Sequence, residues 1–503
     1  TAKGNARKTS GSYYTPDSLV QELIKSALEP VIAQRLADNP DNPTAALLDI
    51  KVIDPACGSG HFLLAAARRL AEALAAQRSP EGAVKPQDYR HALREVISHC
   101  IFGVDRNPMA LELCRMALWL EGFQEGRPLS FLDHHLQCGD ALLGLTDLKA
   151  LEVGIPAAAF KPLSGDDKDV CKELTKENKA GLKQLERDLK RGQQLIRFDK
   201  ASGLEQLQTL EALPEDTPED IAARAAAYAA FSAQADNSRI AQAADLLLGA
   251  FVLPKTENTA NRIPTSQTLY LHLFSDQHNS QHQQQLDAAR SACREASVFH
   301  WPLAFPQVFA KGGFDCVLGN PPWERIKLQE EEFFATRSPL VAQAKNKAER
   351  AQRIDWLGQG QLVRNLYPDQ VADAAACEAE QRLYQDFLTA RRTAEAVSVF
   401  AHVKGDEGGR FPLTGVGDVN TYALFAETIS QIVAEQGRAG FIVPTGIATD
   451  DSTKAYFGAI ATGGRLASLY DFENREKIFA AVDSRMKFCL LTLGQAEEAE
   501  FAF

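Results

Sequence analysis

The chain has 503 residues, with 66 acidic and 54 basic side chains and a formal net charge of −12. Its hydrophobic content of 45% is ordinary for a globular protein. No run of residues is long and apolar enough to cross a bilayer, which excludes a chain that spans a membrane by helices. The acidic balance argues mildly against nucleic-acid binding, although net charge is a poor guide to the field of one surface.

The cysteine and histidine content indicates an intracellular chain without a metal. A polar stretch follows the first basic residues, where a secretory signal would need an apolar one. The nine cysteines are scattered and form no Cys-x-x-Cys pair, so we expect reduced thiols in a cytoplasmic protein. His134 with His135, and His278 with His282, have no cysteine or acidic partner at metal-ligand spacing. We therefore expect structural roles for these histidines and no metal.

The first predicted unit is a strand, a glycine-rich turn and a helix over residues 51–76. Gly58 and Gly60 allow a tight turn and let a ligand approach the backbone, and the following helix points its amino terminus at that ligand. The spacing is not that of the dinucleotide fingerprint, and no Lys-Ser or Lys-Thr follows as a phosphate loop requires. This turn alone is a weak functional signal.

Polar residues also end the next predicted strands. Residues 101–105 form an apolar run that ends in Asp105 and precedes a predicted helix over 109–120, and residues 136–141 predict a third strand that ends in Asp140. Asp54 ends the first strand in the same way. Ligands bind at this carboxyl edge in open α/β sheets. Each Asp alone is better explained as a cap or turn residue, whereas several in one register favour a site.

Two helical intervals interrupt the α/β pattern. The stretch before residue 314 is too long for a loop, and its composition predicts helices at 172–195 and 219–248. A second charged interval predicts helices at 330–353 and 372–401. The pattern then resumes with a helix at 421–435 and with strands at 440–444, 466–472 and 487–493.

These patterns predict five consecutive regions. They are a first core part (1–145), a helical insertion (146–300), a core strand with its polar end (301–323), a second helical insertion (324–410) and a second core part (411–503). A basic stripe runs along the first predicted helix of the first insertion: Lys172, Lys176, Lys179, Lys183, Arg187 and Lys190. This stripe is either an ordinary solvated face, which we favour, or a ridge that follows nucleic-acid phosphates.

The most informative residues are Asn320, Pro321, Pro322 and Trp323, which follow the apolar run at 314–319. The Asn320 oxygen accepts a hydrogen bond, and Pro322 biases Pro321 toward an extended backbone whose carbonyl faces outward as a second acceptor. Trp323 offers a flat face for stacking. These groups suit a planar base with an exocyclic amine, although a proline-rich turn after a core strand explains the four residues about equally well.

In combination, these motifs resemble those of the S-adenosylmethionine-dependent DNA adenine methyltransferases, in the order of the gamma class. Residues 11–16 resemble the motif that closes over the methionine end of the cofactor, and residues 54–62 resemble the cofactor glycine motif. Later family motifs resemble residues 420–425, 440–446, 472–475 and 479–493. The amino-acid sequences of residues 103–108 and 300–303 are most similar to those of the large type IIG, BREX and DISARM phage-defence methylases.

The resemblance implies a Rossmann-like class I methyltransferase sheet with two helical insertions. It implies catalytic roles for residues 320–323, stacking of the target base on Trp323 and Phe479, with Phe488 as the alternative to Phe479, and no metal. The implied cofactor-binding residues are Tyr14, Thr15, Pro16, Asp54, Ala56, Cys57, Gly58, Gly60, Asp105, Arg106, Asp140 and Ala141.

The implied reaction is methyl transfer to adenine N6 in double-stranded DNA, within a restriction-modification or phage-defence system that supplies protein partners. A separate target-recognition domain is expected after the last strand and is absent here. Three alternatives stay open: a methyltransferase for RNA adenine or protein glutamine, a fusion with endonuclease activity, and a non-catalytic cofactor- or nucleic-acid-binding scaffold. No clustered acid, acid and lysine site supports the nuclease.

Overall fold

The computed structural model describes residues 15–79, 82–190, 204–275, 279–369, 374–480 and 482–503, without the side chains of residues 185 and 188–190. Within these ranges eight strands form one sheet in the order β3-β2-β1-β4-β5-β7-β6-β8. Their bounds are β1 Val52–Asp54, β2 Ile101–Asp105, β3 Leu136–Cys138, β4 Phe314–Gly319, β5 Val433–Pro444, β6 Leu466–Glu473, β7 Lys487–Leu493 and β8 Glu500–Ala502.

The strand directions give the sheet a parallel half and a mixed half. The pairs from β3 to β5 are parallel, whereas β7 runs antiparallel to both β5 and β6. The chain builds outward from β1 through β2 to β3 and then returns to place β4 on the other side of β1. The strand order therefore reverses between β1 and β4, and this crevice is where open α/β sheets bind ligands.

Alternate strand residues face two separate cores. Val317 and Phe441 belong to one buried cluster, and their neighbours Cys316, Leu318 and Ile442 belong to the other. Strands covered on both faces read as continuous apolar runs, which is why these segments are visible in the sequence. The predicted Rossmann-like α/β fold is thereby confirmed. Among the described residues no helix has the length and apolarity that a membrane span requires.

The first helices cover the parallel half of the sheet. A π-helical turn, Ile24–Leu28, joins α1 to α2, and α4 consists largely of Ala, Leu and Arg, which are strong helix formers. The helix bounds are α1 Asp17–Leu23, α2 Glu29–Asp38, α3 Pro43–Leu48, α4 His61–Arg78, α5 Pro86–Cys100 and α6 Pro108–Glu121.

Helices fill the described residues between β3 and β4. They are α7 Ala150–Val153, α8 Lys168–Lys190, α9 Leu204–Glu211, α10 Pro218–Asp236, α11 Arg239–Val252, α12 Ser266–Phe274, α13 Ser280–Glu295, α14 Trp301–Ala304 and α15 Pro306–Phe309. The prediction of a single helix at 219–248 is wrong. The segment forms two helices, because the Ser238 side chain accepts a hydrogen bond from the Ala241 N–H and caps a new helix.

The helices after β4 include a small unit with its own core. Phe333, Phe334 and Phe387 share a buried cluster that is separate from the two clusters flanking the sheet. The bounds are α16 Glu330–Arg337, α17 Pro339–Ala342, α18 Lys347–Gln359, α19 Leu362–Leu366, α20 Ala374–Ala401, α21 Thr421–Ile432, α22 Gly446–Thr449 and α23 Lys454–Thr462. Short 3-10 turns occupy Ala157–Phe160, Ala260–Arg262, Gly405–Glu407, Asp451–Thr453 and Asn474–Glu476.

Three strand predictions need correction. The helix predicted to reach residue 435 ends at Ile432, and β5 begins at once and pairs with β4 along residues that include Arg438. Strand β3 ends at Cys138, so Asp140 lies two residues beyond it and forms an isolated bridge with Val298. The third correction adds strand β8, which pairs with β6 and was not predicted because three residues are too few to stand out in the sequence.

Candidate active site

The site lies at the carboxyl ends of β1 and β4, where the strand order reverses. Register places Ile53 beside Val317, so Asp54 and Gly319 end neighbouring parallel strands. A Cβ atom added to Gly319 would lie 2.8 Å from Asp54 Oδ1. The backbone of β4 therefore passes directly against the Asp54 carboxyl, and only glycine leaves room for it.

Asp105 braces the glycine-rich turn after β1. Gly58 and Gly60 have φ angles of +53° and +86°, which favour glycine. The Gly58 N–H donates to Asp105 Oδ2 at 2.9 Å, and the Cys57 N–H donates to the Val104 carbonyl at 3.0 Å. Helix α4 starts immediately after Gly60, and a Cβ atom on Gly58 would meet nothing within 4 Å. This braced, open turn beside a helix amino terminus suits a polar ligand.

The electrostatics of this turn centre on Asp54. Burial raises the pKa of the Asp54 carboxyl to about 8, and the nearby Asp105 charge acts in the same direction. The Ala56 N–H, which donates to Asp54 Oδ1 at 2.9 Å, opposes the shift. The carboxyl is consequently protonated in much of the free protein at neutral pH and can ionise when a positive charge arrives.

Asp140 and Ala141 lie in a rigid loop after β3. Asp140 Oδ1 accepts a hydrogen bond from the Leu142 N–H at 3.0 Å, and Oδ2 lies 3.5 Å from Arg106 Nη1. The Ala141 carbonyl accepts hydrogen bonds from Arg410 Nη2 at 2.8 Å and from Trp301 Nε1 at 3.1 Å. Burial lowers the pKa of Arg410 to about 9. Distant segments of the chain thus fix this loop against the sheet.

The tetrapeptide at residues 320–323, which follows β4, has carbonyl oxygens that differ in their hydrogen-bond partners. Asn320 Nδ2 donates to Thr15 Oγ1 at 3.2 Å, whereas Asn320 Oδ1 is buried and accepts no hydrogen bond from the described residues. The Thr421 hydroxyl lies 2.7 Å from the Pro322 carbonyl oxygen. No donor among the described residues reaches the Pro321 carbonyl. Two neighbouring acceptors are therefore left for a ligand.

The Trp323 ring packs on two buried phenylalanines. It lies 6.1 Å from the Phe488 ring at an interplanar angle of 29°, and the Phe479 ring contacts it edge-on at 5.5 Å. Trp323 Nε1 points to the Ile442 carbonyl at 3.4 Å. Asn474 holds the Phe479 backbone through hydrogen bonds of 3.0 and 2.9 Å. The indole is thus fixed from within the protein.

The structure gathers the described residues predicted for the site along one sheet edge, from Asp140 through Asp105 and Asp54 to Asn320. Tyr14 lies outside the described residues. Sequence reasoning missed the supporting roles of Arg410, which binds the loop after β3, and of Thr421, which binds the tetrapeptide. Thr421 lies in the motif at 420–425, but its contact could not be predicted, and Arg410 had no local signal, because each lies far along the chain from its partner.

Family comparison agrees with this arrangement. The model of the Eco57I restriction-modification methylase family matches residues 99–354, just over half of the chain. The chain belongs to this methylase family. The model of the N-6 DNA methylases matches residues 2–135, which include the glycine-rich turn. The predicted resemblance to DNA adenine methyltransferases is therefore confirmed for the family.

Curated relatives of this methylase are much longer than the matched regions. A putative type II restriction enzyme and methyltransferase of Methanocaldococcus jannaschii is 27% identical over 198 residues, which are 29% of this chain and 16% of that protein. The adenine-specific methyltransferase PglX of Streptomyces coelicolor is 32% identical over 146 residues, which are 27% of this chain and 11% of that protein.

Solved structures superpose loosely on this methylase. A nuclease-deletion mutant of the type ISP restriction-modification enzyme LlaGI with a DNA substrate mimic has a TM-score of 0.36 at 9% identity, over 97% of this chain and 24% of that one. The DrdV–DNA complex has a TM-score of 0.35 at 9% identity, over 99% of this chain and 28% of that one.

Proposed function

We propose that this methylase transfers the methyl group of S-adenosylmethionine to the exocyclic N6 amine of adenine in double-stranded DNA. One observation carries the proposal: Asn320 Oδ1 and the Pro321 carbonyl are adjacent acceptors without a partner among the described residues. An exocyclic amine has two hydrogens, and these two free acceptors match them in number.

The glycine-rich turn supports the cofactor assignment. The open space at Gly58, the amino terminus of α4 and the Asp105 carboxylate fit a charged nucleoside ligand at the end of β1. Asp140 and Ala141, two strands away, fit its adenine end. When bound, S-adenosylmethionine supplies a methyl group already activated on a sulfonium, so the reaction needs no metal.

Asn320 and Pro321 would activate the amine. The nitrogen lone pair of adenine N6 is delocalised into the ring, and hydrogen bonds from both N–H groups to fixed oxygens favour its localisation on nitrogen. The same oxygens stabilise the positive charge that nitrogen gains as it bonds to the methyl carbon, before one amine proton is lost. Thr15 keeps the amide in the required orientation by accepting from Nδ2.

The target base must leave the duplex to reach this edge. Flipping costs roughly a few kcal/mol of stacking and pairing, and stacking on Trp323 would return about 1–3 kcal/mol. The buried Phe479 and Phe488 fix the tryptophan, so it is preorganised for the base. Phe479 would complete the pocket from the side of the indole edge.

DNA adenine is favoured as substrate by the family and by the names of the relatives. RNA adenine has the same exocyclic amine, and protein glutamine has a planar amide NH2 group, so the substrate must be tested directly. We further propose that the protein acts in the cytoplasm with partners of a restriction-modification or phage-defence system. The nine cysteines are free, as a reducing compartment requires.

The test compares DNA, RNA and protein as methyl acceptors for the protein that contains this chain. Mixed-sequence genomic DNA, total RNA and denatured protein are incubated with labelled cofactor, and N6-methyladenine is measured by mass spectrometry. We expect label in DNA adenine, and Asn320→Ala should slow transfer by at least about 100-fold while cofactor affinity stays within about twofold. Label mainly in RNA or protein, or an active Asn320→Ala variant, would contradict the proposal.

A further inference from the structure

Two buried histidines meet a carboxylate beside the edge strand β3. His134 and His135 immediately precede β3, and Glu211 is the last residue of α9. One ligand atom from each side chain lies within 4.8 Å of the other two. The histidines are 2% and 1% exposed. The fold therefore brings three potential metal ligands together from segments that are distant in sequence.

These ligand atoms lack partners within the described part of the protein. Both ring nitrogens of His134, Nδ1 of His135 and Oε1 of Glu211 are buried and form no hydrogen bond there. Burying such groups unpaired costs roughly 1–3 kcal/mol each. Four unpaired polar atoms at one point are unusual for a folded protein, and a bound cation would satisfy several of them at once.

Aromatic neighbours hold both imidazoles in place. The His135 ring packs on Phe102 at 3.9 Å between centroids, and the His134 ring stacks parallel to Phe131 at 5.5 Å. The two imidazole centroids lie 4.0 Å apart. An apolar shell around a small polar centre is a common setting for a metal ion.

We propose that His134, His135 and Glu211 bind a zinc ion that fastens the first helical insertion to the sheet. Two imidazole nitrogens and one carboxylate oxygen form a ligand set that suits Zn²⁺, with water in the remaining position. This proposal departs from the expectation of no metal, which rested on the lack of an acidic partner nearby in the sequence. The partner comes instead from α9.

Arg224, a positive charge close enough to act on His134, has other partners. The Arg224 guanidinium donates to the carbonyls of Leu213 at 2.9 Å and Glu211 at 3.1 Å, and it lies 3.5 Å from the Glu215 carboxylate. Arg224 thereby binds the carboxyl end of α9 and the turn that follows it, and no ion pair joins it to the Glu211 carboxylate among the described residues. The carboxylate thus stays available to the metal.

Other contacts confirm that this is a junction between the insertion and the sheet. Gln137 in β3 donates to the Tyr228 hydroxyl of α10 at 2.7 Å, and Arg127 pairs with Asp216 at 2.6 Å. Strand β3 leads directly into the Asp140 loop. A zinc ion here would lock the edge strand and the insertion together without entering the methyl-transfer site.

The experiment measures metal in the full chain, prepared without a polyhistidine tag. Zinc is added, unbound metal is removed by gel filtration, and the bound zinc is quantified by mass spectrometry. We expect about one zinc per chain, and less than a tenth of that in Glu211→Gln. Glu205→Gln is the matched control, since Glu205 is an exposed residue of the same helix and should leave the zinc content unchanged. Equal zinc in Glu211→Gln and the unmodified protein, or none in either, would overturn the site.

X-ray absorption at the zinc edge decides the question even if Glu211→Gln fails to fold. The nine free cysteines are alternative ligands elsewhere in the chain. The proposed site predicts a shell of nitrogen and oxygen at about 2.0–2.2 Å with imidazole scattering. Sulfur scattering at about 2.3 Å would show that the zinc is bound by cysteine, and the proposal would be wrong.

Discussion

Two carbonyl groups that follow β4 differ in whether they accept a hydrogen bond. The Pro322 carbonyl is bonded by Thr421, whereas the Asn320 side-chain oxygen is buried without a partner among the described residues. Leaving such an oxygen unpaired costs about 1–3 kcal/mol, and a ligand that donates a hydrogen bond would recover this cost. The unpaired acceptor is the residue-scale basis of the proposed chemistry.

Asp54 makes the stability of the cofactor-free protein depend on pH. The folded-state pKa of about 8 lies above the ordinary value of 3.8. Between about pH 4 and pH 8 the folded chain keeps a proton that the unfolded chain has lost. The contribution of Asp54 to the free energy of unfolding is therefore full below pH 4 and is lost as the pH rises toward 8.

The same linkage predicts proton release when the cofactor binds. A positively charged sulfonium and ammonium near Asp54 would favour the ionised carboxylate, so the pKa of Asp54 should fall below 8 in the complex. Affinity for S-adenosylmethionine should then rise between about pH 6 and pH 8 and level off above that range. Calorimetry at pH 7 in phosphate and in Tris measures the released protons.

Asp54→Asn is the control for this prediction. The substitution removes the titrating carboxyl and leaves the ionisation of the cofactor unchanged. The difference in binding heat between the two buffers, which reports the released protons, should therefore decrease by the contribution of Asp54. Equal proton release by the variant and the unmodified protein would show that another group titrates. Asp49, a partly exposed carboxylate that pairs with Arg35 and Lys311, should leave the heat unchanged when it is exchanged for Asn.

At the scale of elements, the contact between β1 and β4 brings the glycine-rich turn close to the tetrapeptide at residues 320–323. Gly319 ends β4 against Asp54, and the tetrapeptide follows it at once. Parallel pairing fixes this relation, because Ile53 and Val317 are in register. The site thus depends on a backbone approach that no side chain at residue 319 would permit.

Gly319→Ala tests this approach. The added Cβ would lie 2.8 Å from Asp54 Oδ1, and the buried carboxyl or β4 must shift to relieve the contact. We expect a loss of roughly 1–3 kcal/mol in stability and weaker cofactor binding. Thermal unfolding and equilibrium binding measure the two effects.

Gly458→Ala provides the matched control. Gly458 lies within α23, where an added Cβ meets nothing within 4 Å, and alanine favours a helix over glycine by up to about 1 kcal/mol. This variant should be as stable as the unmodified protein or more so, with the same cofactor affinity. If Gly319→Ala behaves in the same way, the close contact between β4 and Asp54 is not important for the site.

Strands with an apolar run could be predicted from the sequence, whereas the polar first half of β5 could not. Strands β1, β2 and β4 are apolar runs that end in polar residues, and both features are local. Strand β5 begins at Val433, and Glu435, Gln436 and Arg438 interrupt any apolar run in its first half, so this half is indistinguishable from the end of a helix. The pairing of Arg438 with Cys316 in β4, which makes this half a strand, comes from across the sheet.

At the scale of the whole molecule, distant segments complete one sheet and one site. Arg410 donates to the carbonyls of Gly144 and Ala141, and Trp301 donates to the same Ala141 carbonyl. Such contacts have no sequence signal, because each partner is ordinary in its own local context. The His134, His135 and Glu211 cluster escaped prediction for the same reason. Sequence motifs therefore indicated candidate site residues but not the distant residues that bind them.

The net charge of −12 requires any DNA-binding surface to be a local one. The α8 residues Lys172, Lys176, Lys179, Lys183 and Arg187 are exposed, while Leu174 is buried on the other side of that helix. Lys190 of the predicted stripe has no described side chain. The surface is either a solvated helix face or a ridge that contacts phosphates, and salt dependence separates the two because phosphate contacts release counterions.

Reversing Lys179, Lys183 and Arg187 to Glu should weaken DNA binding and flatten its salt dependence if the stripe contacts phosphates. The logarithm of the binding constant falls with the logarithm of salt by about 0.9 per contact, so losing three contacts should reduce the slope by about 2–3. Fluorescence anisotropy with labelled duplex over a range of salt concentrations measures this slope. The control reverses the exposed Lys25, Lys85 and Arg90, which changes the net charge equally. If the slope changes as much in the control as in the α8 variant, the effect comes from the overall charge of the protein and not from contacts of α8. If the slope of the α8 variant is unchanged, α8 is an ordinary solvated helix.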